Sequence, residues 1–177
     1  MGAEVTPHIV DDRPEGPPLW AVHVAARLPA MRAFVVVGAS CVVTGGLTAA
    51  VARPTGFAEG SWLAAYLVLV GGVAQVAMGS GQALLARRPP SARLVAAELV
   101  VWNVGMVCVV AGTLLPAVAL TLLGGIATAA ALAAFLKGVH CTCTAAPAVV
   151  VRGYRSLAIF VLASTPVGLL LAWLRYG

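Results

Sequence analysis

Apolar residues occupy this chain in long unbroken runs, not in the two-residue or 3.6-residue alternation of elements that show one face to water. Five runs are bounded by charge or by Pro and Gly: Ala33 to Ala52, Trp62 to Ala86, Leu94 to Leu114, Ala117 to Leu136, and Ser156 to Leu174. Each is about 19 to 25 residues, enough for a helix to cross one hydrocarbon layer with modest tilt. Hydrocarbon holds no water to satisfy backbone N–H and C=O groups, so such segments must be helices. A membrane barrel would alternate in short segments, and these runs are apolar on every face. The pattern predicts an all-α integral membrane bundle of five transmembrane helices.

Composition makes a soluble domain untenable. Of 177 residues 61% are apolar and only 10% charged, against about 45–50% and about 25% in an ordinary globular domain. Disordered chains need low hydrophobicity, and disulfide scaffolds need many more than four cysteines. The net charge of +5 comes from eleven Lys and Arg scattered singly and in twos. That scatter argues against a nucleic-acid partner and for topology signals beside anionic lipid headgroups. The lipid bilayer is the expected partner.

Short loops rich in Lys and Arg stay cytoplasmic. Arg13, Arg27, Arg32, Arg87, Arg88, Arg93, Lys137, Arg152 and Arg155 fall on one side of a five-span threading, and Arg53 and Arg175 on the other. Nine against two predicts a cytoplasmic amino terminus and an outside carboxyl terminus. Trp62, Tyr154, Trp173 and Tyr176 sit at run ends, where aromatic belts form. The bias toward Ala, Val, Gly and Arg fits a bacterial chain from a high-GC genome, which makes the plasma membrane, the bacterial inner or cytoplasmic membrane, the expected address.

Two units follow: residues 1–32 as a cytoplasmic tail and 33–177 as the five-span membrane domain. The start of the chain is acidic and Pro-rich and does not read as a cleavable signal. Leu19 to Leu28 reads either as a short interfacial helix before Pro29 opens the first span, or as plain linker. The loop between the fourth and fifth spans is about 17 to 19 residues, and its Thr144 to Val151 portion is apolar enough to dip into the interface. Thr165-Pro166 should bend the fifth span.

Gly38 and Gly45, Gly72 and Gly79, and Gly105 and Gly112 are three pairs at a seven-residue interval within strings that rhyme. Seven residues return to nearly the same helix face, so each pair marks a small-residue seam for close approach. The rhyme reads as an internal repeat or as chance in a Gly- and Ala-rich chain. Cys41 and Cys108 hold matching places in two of the strings and read as packing residues.

Intramembrane polar side chains carry the candidate chemistry, because each is costly without a partner. Glu98 is the only carboxylate in any span, about four residues inside the third. Gln82 lies at a similar depth near the end of the second, and Gln75, Gly79 and Gln82 share a helix face, as do Glu98, Trp102 and Gly105. These two faces are expected to meet, with Gln82 donating to Glu98. Asn103 points about 140 degrees away from Glu98 on helical geometry and is expected to bond another helix. Structural satisfaction of Glu98, by Gln82 or by Arg87, Arg88 or Arg93, stands against use in carrying a proton or cation.

His140, Cys141 and Cys143 form a candidate metal cluster, incomplete because no second Cys pair joins them; a reduced thiol is often only a small apolar residue. No residue pattern calls for a cofactor, and phosphate loops, nucleophile elbows and His-Glu-x-x-His patterns are absent from the sequence. An enzyme is therefore not expected. The leading expectation is a non-enzymatic subunit or scaffold packing against itself or a partner membrane protein. The alternative is a small carrier or channel with a polar path around Gln82 and Glu98. Five spans make a thin bundle, so either reading implies a homo-oligomer or a partner membrane protein.

Overall fold

A computed structural model describes residues 19–139 and 148–176, with side chains other than those of residues 19, 20, 23 and 164–176. The tail Met1 to Pro18, His140, Cys141 and Cys143 lie outside the described residues, as do the side chains of His23, Trp173 and Tyr176. Every element among the described residues is helical: α1 Leu19–Thr55, α2 Gly60–Leu85, α3 Ala92–Leu114, α4 Val118–Gly138 and α5 Ala148–Tyr176. From Val24 onward in α1, and in α2, α3 and α4, the helices are long and apolar enough to cross a membrane. The fifth predicted span lies within helical α5, whose side chains are described only as far as Ala163.

Helix ends follow local chemistry. Thr55 closes α1, and Gly56 then takes a positive φ of 66°. Phe57 N–H donates to Ala52 C=O at 3.0 Å and Gly56 N–H to Arg53 C=O at 3.2 Å, the paired bonds of a Schellman cap that only a residue without Cβ closes cheaply. Ser91 caps α3 by accepting from Leu94 N–H at 3.3 Å, directly after Pro89 and Pro90 have ended any continuation of α2.

Several expectations need correction. No separate interfacial helix precedes Pro29, since α1 continues through that residue without a break. Proline removes one i to i−4 bond but leaves neighbouring bonds intact, and Arg27 anchors this turn to α2 as described below. The boundary drawn at Arg32 thus falls inside α1. Helix α5 begins at Ala148, so the last part of the Thr144 to Val151 stretch is helical and the connection between α4 and α5 is shorter than expected. Tyr154 is buried in the core and not placed in an interfacial belt.

Consecutive helices run antiparallel, α3 packing most extensively on α4 and α1 on α2. Within α2, Leu67–Ala74 is wound as a π-helix, a wider turn that presents Gly71 to both neighbours. A Cβ there would meet Met106 Sδ of α3 at 2.6 Å and Cys41 of α1 at 3.2 Å. The core gathers near the end where α1, α3 and α5 begin, with Phe34, Met78, Trp102, Phe135 and Tyr154 each supplied by a different helix. Phe135 holds it together, edge-on to Phe34 at 5.7 Å and tilted against Trp102 at 5.9 Å, separations at which aromatic pairs attract. Outward faces are apolar as well: Val36, Val43 and Leu47 of α1 and Val104 and Val107 of α3 are exposed. An apolar exterior over an interior that holds the polar residues is the arrangement lipid requires.

All six seam glycines lie at helix contacts, and every contact is within the chain. Gly38 and Gly72 oppose one another across α1 and α2, a Cβ on Gly38 falling 3.1 Å from the Gly72 carbonyl oxygen. Gly45 faces Ala64 and Val68, and Gly79 lies under the Phe34 ring. Gly105 and Gly112 face α4 instead, against Gly124 with Thr128 and against Thr121. The first two rhyming strings therefore face each other while the third meets an unrelated segment.

Candidate functional site

Antiparallel packing of α2 on α3 brings Gln82 and Glu98 to one level. Gln82 Nε2 donates to Glu98 Oε1 at 2.9 Å. Both residues are sealed from the surface, Gln82 at 1% and Glu98 at 3% exposure. Helix α4 closes over the pair at Gly138, where a Cβ would collide with the Gln82 amide nitrogen. Helix α5 completes the enclosure: the Tyr154 ring lies against Gly81, and its hydroxyl donates to Met78 C=O at 3.2 Å.

That single bond leaves most of the local polar capacity unused. Glu98 Oε2, Gln82 Oε1, Trp102 Nε1 and both polar atoms of the Gln75 amide are buried without a hydrogen-bond partner. Gln75 lies seven residues deeper on α2 than Gln82, and Trp102 four residues deeper on α3 than Glu98. The unpaired groups thus extend inward along the α2–α3 faces from the Gln82–Glu98 pair. Each unpaired buried group costs roughly 1–3 kcal/mol, so the line is expensive as a purely structural device.

Asn103 is not part of this line. Its Nδ2 donates to Leu99 C=O of its own helix at 2.7 Å, so the expected bond to another helix is replaced by a local one. An amide one turn from an available carbonyl satisfies itself without fixing a second helix. Arg87, Arg88 and Arg93 are exposed, and none takes the free Glu98 oxygen. No group of three or more His, Cys, Asp and Glu that would hold a metal occurs among the described residues.

Arg27 is the residue that charge counting misread. It is only 7% exposed, and its Nη1 donates to Ala83 C=O at 2.6 Å and Ala86 C=O at 2.7 Å. Residues at the carboxyl end of a helix have no N–H to take their carbonyls, and a cation there also meets the negative end of the helix dipole. Arg27 therefore ties the first turns of α1 to the end of α2, one turn beyond Gln82. The signal in the sequence is slight: one basic residue amid apolar ones before the first long run.

Helical apolar segments of this length and an interior polar line define the class, a helical bundle with the features of a multi-pass membrane protein. No protein-family model, no curated protein and no solved structure matches the chain.

Proposed function

We propose that the chain is a small carrier or channel of the bacterial plasma membrane, crossing it five times with its amino terminus in the cytoplasm, and that Glu98 is the group that takes up the transported or coupling cation. One observation carries this reading: the only carboxylate of the spans is buried against Gln82 beside unpaired polar groups of Gln75 and Trp102. Ionisable residues kept inside membrane bundles at such cost mark ion or proton sites. The bundle is thin, and copies of the chain are expected to assemble around the pathway.

The subunit or scaffold reading drew on the glycine seams as a surface for a partner. Those seams meet neighbours in the same chain, which leaves the polar line as the feature without a structural use. Purified protein in liposomes holding a pH-sensitive dye, with an imposed membrane potential, separates the two. The wild type is expected to pass protons or small cations, Glu98→Gln to lose at least about tenfold of that flux, and Asn103→Leu to keep it. Equal flux through wild type and Glu98→Gln, or none through the wild type with each tested cation, defeats the carrier reading.

A further inference from the structure

Hydrogen bonding at the pair is half complete in an informative way. Gln82 uses its donor on one carboxyl oxygen, while its own oxygen and the second carboxyl oxygen are both buried and unpaired. Gln82 Oε1 can only accept. With a carboxylate, Glu98 Oε2 can only accept too, so two adjoining planar groups would each hold a bare oxygen away from water. A single proton on Oε2 turns it into a donor and supplies what both atoms lack.

We propose that Glu98 is held as a neutral carboxylic acid whose Oε2–H donates to Gln82 Oε1, closing a two-bond acid–amide ring with the Gln82 Nε2–H to Glu98 Oε1 bond. This rests on the cation-uptake reading above and names its cation as a proton. The step is one protonation: a hydronium ion at the basic end of the bundle gives a proton to the carboxylate and leaves as water, its O–H bond breaking as the Glu98 Oε2–H bond forms, and release to water reverses it. No metal ion is needed, and the described residues offer no further carboxylate beside Glu98 to neutralise one.

The neighbours leave this state undisturbed. From α1, Arg27 spends Nη1 on the α2 carbonyls. From α5, Tyr154 is engaged with Met78 C=O. Lys137 of α4 and Arg87, Arg88 and Arg93 at the α2–α3 connection are exposed, where water screens them. Within α2 and α3 the other buried polar groups without a partner, on Gln75, Ser80 and Trp102, are neutral.

Infrared spectra of the full chain in lipid bilayers at neutral pH test the proposal. A protonated carboxyl C=O band is expected, shifted by deuterium oxide, shifted again when glutamate is carbon-13 labelled, and absent from Glu98→Gln. The labelling experiment stands without any substitution, so a failure of Glu98→Gln to fold does not block the test. Gln82→Leu is expected to move the band to the position of an acid without an amide partner. If wild type shows only carboxylate bands at neutral pH, the acid–amide ring is overturned. An acid band without cation flux refutes the carrier reading and leaves the ring standing; flux with an ionised Glu98 does the reverse.

Discussion

Gly105→Leu is expected to be the most damaging single substitution in the membrane core. A Cβ at Gly105 would fall 2.9 Å from the Gly124 carbonyl oxygen and 3.0 Å from the Thr128 nitrogen, and one at Gly124 would fall 2.6 Å from both the Gly105 oxygen and the Val109 nitrogen. These are backbone atoms, which cannot turn aside as a side chain does. Relief requires α3 and α4 to separate, which opens one of the two most extensive helix pairs in the molecule. Overpacking a core costs about 1–3 kcal/mol and occasionally more, and a leucine between two backbones belongs at or above the upper end. Unfolding midpoints in mild detergent should fall accordingly, with less protein recovered in a monodisperse peak. Gly46→Ala is the control, because nothing lies within 4 Å of a Cβ there. It should match the wild type or gain up to about 1 kcal/mol from helix propensity. A Gly105→Leu chain that unfolds at the wild-type midpoint would show that α3 and α4 do not approach this closely.

Arg27→Ala is expected to cost about 3 kcal/mol, the scale of two bonds from a charged donor at roughly 1.5–3 kcal/mol each. It removes the hydrogen bonds to Ala83 and Ala86 and leaves carbonyls at the end of α2 buried and unpaired. Loss should concentrate where α1 begins. Hydrogen exchange is expected to rise in residues 19–32 and in the last turn of α2, while the α3–α4 pair keeps its protection. Arg27→Lys should recover part of the loss, since it retains the charge but not the planar set of donors. A uniform loss of protection through α3 and α4, or none anywhere, would contradict this role.

Hydropathy made α1 to α4 legible because it reports the solvent a segment demands: the second, third and fourth runs became helices near their predicted ends, while α1 begins at Leu19, well before the first run. Helical periodicity also placed Gln82 and Glu98 on faces that meet, since antiparallel neighbours joined by a short connection must match in depth. Arg27 was illegible for the opposite reason. Its partners lie 56 and 59 residues away, and a count of charges records that a cation is near the interface but not what it touches. The same limit hid Gly124 and Gly138, whose importance comes from what packs on them and not from any spacing. Asn103 turned inward to its own helix because a local carbonyl competes with distant partners. The π-helical Leu67–Ala74 segment had no mark beyond its adjacent glycines, as such turns arise from neighbour packing and not from residue propensity.

Everything proposed for Glu98 requires α2 and α3 to lie within a bilayer, with their connection on one side and the α3–α4 turn on the other. Single cysteines introduced into a cysteine-free chain test this directly: Arg88→Cys before α3, Leu115→Cys after it, and Val43→Cys on the outward face of α1. Intact cells treated with a membrane-impermeant maleimide are expected to label Leu115→Cys at once, Arg88→Cys only after permeabilisation, and Val43→Cys in neither condition. Labelling of positions 88 and 115 from the same side, or ready aqueous labelling at position 43, would contradict the account.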